Sequence, residues 1–441
     1  MVRRLILFAF AVSFFLLSYV QAGSLIFFHE AQNNIPAVEL ETNQYFYTSQ
    51  YRESNFEQRY SLSVKAYSEK DQDFQYGLAS YFWKLEPSEV AQWFEVSELF
   101  VGFQTPSWQV KLGRVLPQWG NLHSYSPVLK NFPYFSLDPL SNIQEGLVGA
   151  YFSYRGKKTK VEFLLSPLFI PLLGGPRLEG VGEDHLEVWS RWLPPLLYRA
   201  KMGGGILPVD YTVTLPKIVN VLFQNGAIVR WGAHNEVGSF SVHAASVINP
   251  SPRIRIEEKL VPHKPELRAY LSPEFHREEM IGLDGQINFL GGSFFSEASY
   301  VRPRNPHSLL ENMYKNASFK TLLGIKIANA SWLPHWIAGL SYEKILGQKT
   351  VDSTPGFLPH KSPFLFFTSL NLKPFHWSEL GFMTETDSEF KEGVLRGSFG
   401  FFTFDSFSLS LGLDVLWGED DTYWGQFRAH DRMWLKGTYV F

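Results

Sequence analysis

The feature that most constrains this chain is an alternation of apolar and polar side chains, repeated in many segments of about ten residues. In Phe407–Trp417, every odd position is Phe, Leu, Val or Trp, and the even positions are mostly Ser, Gly and Asp. This period of two is typical of a strand with two unlike faces. Strands of about nine to eleven residues match a tilted span of a bilayer core, whereas strands of soluble proteins average about five or six. The pattern therefore predicts long strands that have one apolar face.

Composition narrows the class of protein further. The 441 residues are 45% hydrophobic, 19% charged and 16% aromatic, and none is cysteine. The missing cysteine excludes a disulfide framework, a Cys-ligated metal and thiol catalysis. The mean hydropathy of −0.11 disfavours a polytopic helical membrane protein. A net charge of −3 does not indicate a nucleic-acid partner. Metalloprotease, nucleophile-elbow and phosphate-loop motifs are also missing, so we predict no catalytic residue, metal site or cofactor.

The first 22 residues have the pattern of an export signal. Arg3 and Arg4 precede the apolar run Leu5–Leu17, and Val20–Ala22 provides small residues at a cleavage site. We expect residues 1–22 to be a signal peptide and residues 23–441 to form a single domain. An uncleaved N-terminal anchor is the alternative interpretation.

The last nine residues, Met433–Phe441, alternate and end in an aromatic residue. Leu435, Tyr439 and Phe441 share one face, which resembles the C-terminal strand signature of bacterial outer-membrane barrels. The resemblance implies an all-β fold, a transmembrane antiparallel up-and-down β-barrel surrounded by lipid in the outer membrane of a Gram-negative bacterium. It also implies that the barrel-insertion machinery reads these terminal residues as an insertion signal.

Connection lengths predict a topology of about 18 strands, within a range of 16 to 20. Short turns alternate with longer connections, as they do between the periplasmic and external sides of such barrels. The predicted turns lie at Glu69–Asp73, Thr105–Ser107, Gly156–Lys157, His234–Glu236, Gly291-Gly292, Asn329–Pro334, Pro374 and Asp405-Ser406. Pro36–Thr48 supplies the first strand, which makes the number even and places both termini on the periplasmic side.

The longest connection, Pro167–Asn225, is our candidate for a constriction of the lumen. It is rich in Pro and Gly, yet it also carries apolar clusters, and long loops in compact folds are usually functional or disordered. One interpretation is a loop folded into the pore or lying on the barrel mouth. The other is two extra strands with a protruding cap, with Leu207–Leu215 as a possible hairpin.

The stretch Lys111–Tyr154 contains a strand that ends in Gly-Arg, a Trp-Gly pair and a Pro/Asn/Asp-rich loop. This order is similar to a segment of alginate-export-like and related porin families, although Pro117 is inserted before Trp119. Arg114 can project into the lumen as a fixed charge that steers anions, or it can pair with a carboxylate in the wall such as Glu145. The further lumen or constriction candidates are Arg230, Asp184 and Arg191.

The function expected from these features is passive diffusion of small hydrophilic solutes through an outer-membrane channel. Two alternatives stay open: an outer-membrane enzyme with a strand-end Ser/His/acid site, and an adhesion or assembly barrel whose external loops bind a partner. The aromatic residues are expected at the two membrane interfaces, with a lumenal ladder that stacks sugar rings as the alternative.

Overall fold

The structure, a computed structural model, describes most of the chain from residue 37 onward. The described ranges are 37–51, 54–68, 73–86, 92–117, 119, 134–138, 140–170, 178–179, 187–188, 199–202, 205–214, 216–249, 253–260, 266–304, 316–327, 335–346, 360, 362–375, 377–404 and 407–440. The predicted signal peptide, residues 1–22, lies outside them and stays a prediction.

Eighteen long strands form one antiparallel sheet that closes on itself. The first nine are β1 Ala37–Tyr51, β2 Ser54–Tyr67, β3 Phe74–Glu86, β4 Gln92–Gln104, β5 Trp108–Val115, β6 Leu147–Arg155, β7 Thr159–Leu168, β8 Gly226–His234 and β9 Gly238–Ile248. The last nine are β10 Arg277–Phe289, β11 Gly292–Arg304, β12 Ala317–Ile327, β13 Trp336–Leu346, β14 Phe364–Phe375, β15 Ser378–Asp387, β16 Gly393–Phe404, β17 Phe407–Trp417 and β18 Arg432–Val440. Each strand pairs with the next, and β18 returns to β1 over Glu39–Tyr47.

The predicted alternation is observed as an inner and an outer face. On β17, Leu411 and Leu413 are 48% and 45% exposed, while their neighbour Asp414 is fully buried. Other outward residues such as Phe94 and Ile281 are more than half exposed. So large an exposed apolar surface would be unfavourable in water, and a closed strand cylinder leaves no unpaired backbone in lipid. The chain is therefore a transmembrane β-barrel of the bacterial outer-membrane type, as the sequence predicted.

The two ends of the barrel differ in the length of their connections. Both described termini and the turns at 69–73, 105–107, 156–158, 235–237, 290–291, 376–377 and 405–406 lie at one end, which is the periplasmic side in such barrels. The other end, called the external end below, carries the long connections. The predicted turn at Pro374 is shifted, because β14 continues to Phe375 through an irregularity of register after Leu372.

The described residues of the long connection 169–225 add no strand to the wall. Its segments Arg199–Met202 and Gly205–Val213 form a separate four-stranded sheet with Arg253–Leu260 and Leu267–Glu274 of the β9–β10 connection. Val209, Leu267 and Ala269 form a buried apolar cluster in this sheet. A short helix, Ile218–Leu222, then leads into β8. The stretch beginning at Leu207 thus pairs with another external connection instead of forming a wall hairpin.

Tryptophan residues of the barrel divide between the two faces. Trp108, Trp231 and Trp377 are 40–46% exposed, and Trp108 and Trp231 face outward near the periplasmic ends of their strands. Trp83, Trp119 and Trp424 are buried. Aromatic residues at the membrane interfaces therefore account for only part of the aromatic content. In the described part of the chain, no helix has the length and apolar character needed to cross a membrane.

We expect Leu62→Arg to reduce the free energy of unfolding of the lipid-embedded barrel by about 2–4 kcal/mol, because it places a charge on the lipid face of β2. The matched control is Ser61→Arg on the adjacent inner position, which is paired with Glu41 and Trp83 and should have a much smaller effect. Denaturant titration in vesicles, followed by tryptophan fluorescence, measures both. Equal losses in the two variants would contradict the assignment of the faces.

Candidate functional site

The inner face of the barrel carries an apolar cluster on one side of the wall. Its buried residues come from β4 to β11, and they surround Trp119, which follows β5 in the long β5–β6 connection. Trp119 is 1% exposed and belongs to the same cluster as Leu147, Leu164 and Ile228. The chain beyond β5 therefore folds inward against the wall, not away from the barrel.

Beside this cluster lies a compact ionic group centred on Arg230. The Arg230 guanidinium lies 3.2 Å from a Glu162 carboxylate oxygen and 2.8 Å from one of Asp284, and it donates to Ser241 Oγ at 2.9 Å. Lys160 Nζ is a further 2.8 Å neighbour of Glu162. Arg230 occupies an inward position, because its neighbours Val229 and Trp231 are exposed to lipid. It is thus a lumenal cation whose charge is offset by two carboxylates.

Ser241, His243 and Asp284 lie together in this group but do not form a catalytic triad. Ser241 Oγ donates directly to Asp284, and His243 Nδ1 is 3.9 Å from the same carboxylate. Neither ring nitrogen of His243 has a hydrogen-bond partner among the described residues. A triad requires the histidine to bridge serine and acid, so the enzyme alternative gains no support from these residues. The described part of the chain also holds no group of metal-ligating side chains.

The opposite side of the inner wall is reached by the same β5–β6 connection. Arg396 of β16 donates from Nη1 to the Leu140 carbonyl oxygen at 2.9 Å. The Leu140 side chain packs against a second buried cluster, formed by Tyr45, Tyr47, Val394, Leu416, Trp424 and Phe427. In the ring of eighteen strands β16 lies ten places after β6, and nine would be diametrically opposite. The described residues of the β5–β6 connection therefore lie against the inner wall on both sides of the external mouth of the lumen.

A second connection, 418–431, folds inward on that opposite side. Its Trp424 and Phe427 are 4–5% exposed against β1, β16 and β17. Trp424 donates from its backbone to Glu392 at 3.1 Å and from Nε1 to Glu385 at 3.0 Å. Gly418, with a φ of +147°, starts the turn, and a Cβ there would lie 2.6 Å from Thr422 Oγ1. Two inward connections thus narrow the mouth.

A chain of charges lines the wall beneath these connections. Asp414, fully buried, accepts from Arg396 at 3.0 Å and from Arg432 at 2.7 Å. Arg432 lies 4.3 Å from the centre of the Tyr45 ring, and Arg59 lies 4.6 Å from it. Arg59 is in turn paired with Glu57 at 2.8 Å, and nearby on β1 and β18 Glu41 is paired with Lys436. Arg396 has the most accessible of the three guanidinium groups, with its side chain 28% exposed.

Arg114 takes the second of its two predicted roles. It bonds to Glu145 at 2.6 Å, to Glu95 and to the Gly146 carbonyl at 3.0 Å. Its register partners Leu99 and Val148 lie on the outer face, so Arg114 ties together the external ends of β4 and β6. Its charge is held in the wall and is not free to steer anions.

The remaining predicted site residues are placed only in part. Asp184 and Arg191 lie outside the described residues, as does Phe441. Leu435 and Tyr439 lie on the outer face of β18, where Tyr439 is paired with Leu40 and Phe407. The sequence reasoning did not single out Arg396, Asp414 or Arg432 as site residues. A carboxylate among the small inner residues of β17 was the one local signal for them.

Comparisons with known proteins add little to this description. No protein-family model matches the chain, and no curated protein matches it. Similar solved structures include OccK11 (OpdR) of Pseudomonas aeruginosa, 10% identical with a TM-score of 0.44, over 92% of this chain and 95% of that one. OccD3 (OpdP) of the same organism is 10% identical with a TM-score of 0.46, over 92% and 91%. Salmonella typhi OmpF, in a complex with daunomycin, is 10% identical with a TM-score of 0.40, over 92% and 97%. Values this low say nothing about the solute.

Glu145 is a group of the site that lies outside the strands, so its titration can be tested. Burial raises the pKa of Glu145 to about 7, against the opposing effect of Arg114, and the nearby Glu95 raises it further. A raised carboxyl pKa means that the folded protein holds this proton more tightly than the unfolded chain. The Glu145 contribution to stability is therefore full below about pH 4.5, falls as the pH rises toward 7, and is level above 7.

We expect the unfolding free energy of wild type to fall by about 3 kcal/mol between pH 4.5 and 7 because of Glu145. In Glu145→Gln this decrease should be absent. The unfolding free energy of both proteins, measured in vesicles across this pH range, gives the difference. Glu389→Gln is the control, because Glu389 is exposed and 61% of its side chain meets solvent. Profiles of equal slope for wild type and Glu145→Gln would refute the assignment.

Proposed function

We propose that the chain is a passive channel for small hydrophilic solutes. The observation that carries this proposal is the β5–β6 connection, which reaches from Trp119 on one side of the inner wall to Leu140 on the other. A lumen enclosed by eighteen strands is too wide for wall side chains to fill. A connection that crosses its mouth therefore restricts the cross-section and sets an upper limit on solute size.

The charge pattern of the wall supports a solute that is polar and small. On the Arg230 side, two cations face two carboxylates, Glu162 and Asp284. On the other side, three guanidinium groups face Asp414 and Glu57. Glu385 and Glu392 lie beside Trp424 on the same side, so both signs are present along the diffusion path. Fixed charges of this kind affect the selectivity between cationic and anionic solutes more than they affect the rate of permeation.

The adhesion or assembly alternative depends on the external connections. Ile206, Val219, Phe223 and Leu260 are 56–69% exposed in them, as a partner-binding surface would require. Such a protein needs no ion flow through the lumen, so conductance distinguishes it from a channel.

We also propose that Leu435, Tyr439 and Phe441 are read by the barrel-insertion machinery, since they present an apolar stripe at the end of the chain.

Replacing residues 120–143 by a short Gly-Ser linker should raise single-channel conductance in planar bilayers several-fold, because the mouth is no longer crossed. The control removes residues 253–274, a hairpin of comparable length in the separate external sheet, and should leave the conductance close to that of wild type. A folded wild-type protein without any conductance step would refute the channel. Unchanged conductance in the first deletion would refute the constriction.

Arg396→Glu should shift the reversal potential in a KCl gradient toward cation selectivity, because it reverses the most accessible charge beside the constriction. Arg304→Glu makes the same charge change on the outer face of β11 and should leave the reversal potential unchanged. Identical reversal potentials for Arg396→Glu and wild type would show that this side of the wall does not face the ion path.

A further inference from the structure

Charged residues at lipid-facing register positions are confined to one end of the barrel. Within the eighteen described strands they are Lys84, Glu86, Arg114, Arg277, Glu279, Arg302, Arg304 and Lys344. Each lies within two residues of the external end of its strand. At the periplasmic end, the outward positions carry residues such as Phe74, Trp108, Tyr154 and Phe289. The two ends of the outer surface therefore face different headgroup chemistry.

Five of these residues lie at the external ends of β10, β11 and β13, and we call them the basic patch. Arg277 lies directly opposite Arg304, and Glu279 lies opposite Arg302. Lys344 is separated from Tyr300 by Phe319 across β12. The patch thus combines four positive charges with one negative charge.

Part of this positive charge is compensated within the protein. Arg277 donates to the Asn225 carbonyl at 2.6 Å and to Ser246 Oγ at 3.1 Å, and Arg304 is paired with Glu279. Arg302 and Lys344 are exposed, and the described residues include no ion-pair partner for either. Like charges directly opposite each other in a sheet are destabilising. Glu279 offsets part of the repulsion between Arg277 and Arg304, whereas the charges of Arg302 and Lys344 are left for an anion from outside the protein.

The surface immediately below the basic patch is apolar. Ile281 is 56% exposed, and Tyr300 and Phe319 are 37% and 38% exposed. Acyl chains cover such a surface, and a phosphate attached to them lies at the level of the arginines. Guanidinium groups suit phosphate, because they offer several donors in one plane and keep their charge at any physiological pH.

We propose that the basic patch binds the phosphate groups of the phosphorylated glycolipid in the outer leaflet of the membrane. Arg302 and Arg304 contact phosphate directly, and Lys344 adds a point charge. Arg277 attracts the phosphate mainly by long-range electrostatic interaction. The acyl chains of the same lipid lie on Ile281, Tyr300 and Phe319. This lipid is a specific partner of β10–β13 and not only a bulk solvent for the barrel.

Native mass spectrometry of the detergent-solubilised full barrel tests the proposal, with diphosphoryl lipid A as the probe. We expect Arg302→Gln combined with Arg304→Gln to weaken binding at least ten-fold. Lys157→Gln combined with Lys158→Gln removes two exposed charges from a periplasmic turn and should bind as wild type does. The affinity of wild type for the glycolipid without its phosphates should be no higher than the affinity of the double-arginine variant for the phosphorylated form.

Glu279→Gln provides a test in the opposite direction. It frees Arg304 from its carboxylate partner, so phosphate binding should become tighter. Weaker binding in this variant would mean that a cation bridges Glu279 to the lipid, which overturns direct recognition by arginine. The proposal also fails if the double-arginine variant, folded as judged by its circular dichroism, keeps wild-type affinity. Equal affinity of wild type for the two forms of the glycolipid would overturn it as well.

Discussion

The structure depends on the hydrogen-bonded seam between β1 and β18, which closes the sheet. In lipid, an unpaired backbone amide or carbonyl costs several kcal/mol, so an open edge of nine residues could not persist in the bilayer. Closure then fixes everything else. Successive residues must face lipid and lumen in turn, the strand number must be even for both ends of the chain to lie on one side, and any connection that folds inward does so within a lumen of fixed circumference.

Inside that circumference, the barrel holds its charges in compensated groups. Asp414 serves two guanidinium groups at once, and Arg230 is shared by Glu162 and Asp284. Removing one partner from a buried group leaves the other charge uncompensated, which costs far more than an exposed ion pair contributes. The ion pairs therefore hold the charged side chains of the inner wall in fixed positions. The inward connections pack against this wall through apolar residues such as Leu140 and Trp424.

Much of the fold could be predicted from the sequence because its rules are local. The strands, the alternating turns and the count of eighteen follow from a period of two and from turn residues, each visible within about ten positions. The site could not be predicted in the same way. The hydrogen bond from Arg396 to Leu140 spans 256 positions, and no local pattern specifies it. Arg114 shows the same limit, since only the geometry of β4 and β6 decides between a lumenal charge and a pair with Glu145. The constriction at Pro167–Asn225 was predicted from length and stays a prediction, because much of that connection lies outside the described residues. The shorter β5–β6 connection is the one whose described residues reach both sides of the inner wall.

The contacts of Arg432 and Arg59 with the Tyr45 ring have a consequence for the register at which the barrel closes. A slip of one residue at the seam exchanges the faces and is excluded by the apolar pattern. A slip of two residues keeps every face and would satisfy the same pattern. In one direction such a slip would place Lys436 opposite Tyr45 and away from Glu41, and in the other it would move Arg432 from its place opposite Tyr47 to a place opposite Tyr45, so either slip changes the observed contacts at the seam. The alternation therefore determines which side of each strand meets lipid. A few side chains at the junction of the first and last strands determine the register of closure, and with it the tilt of the strands.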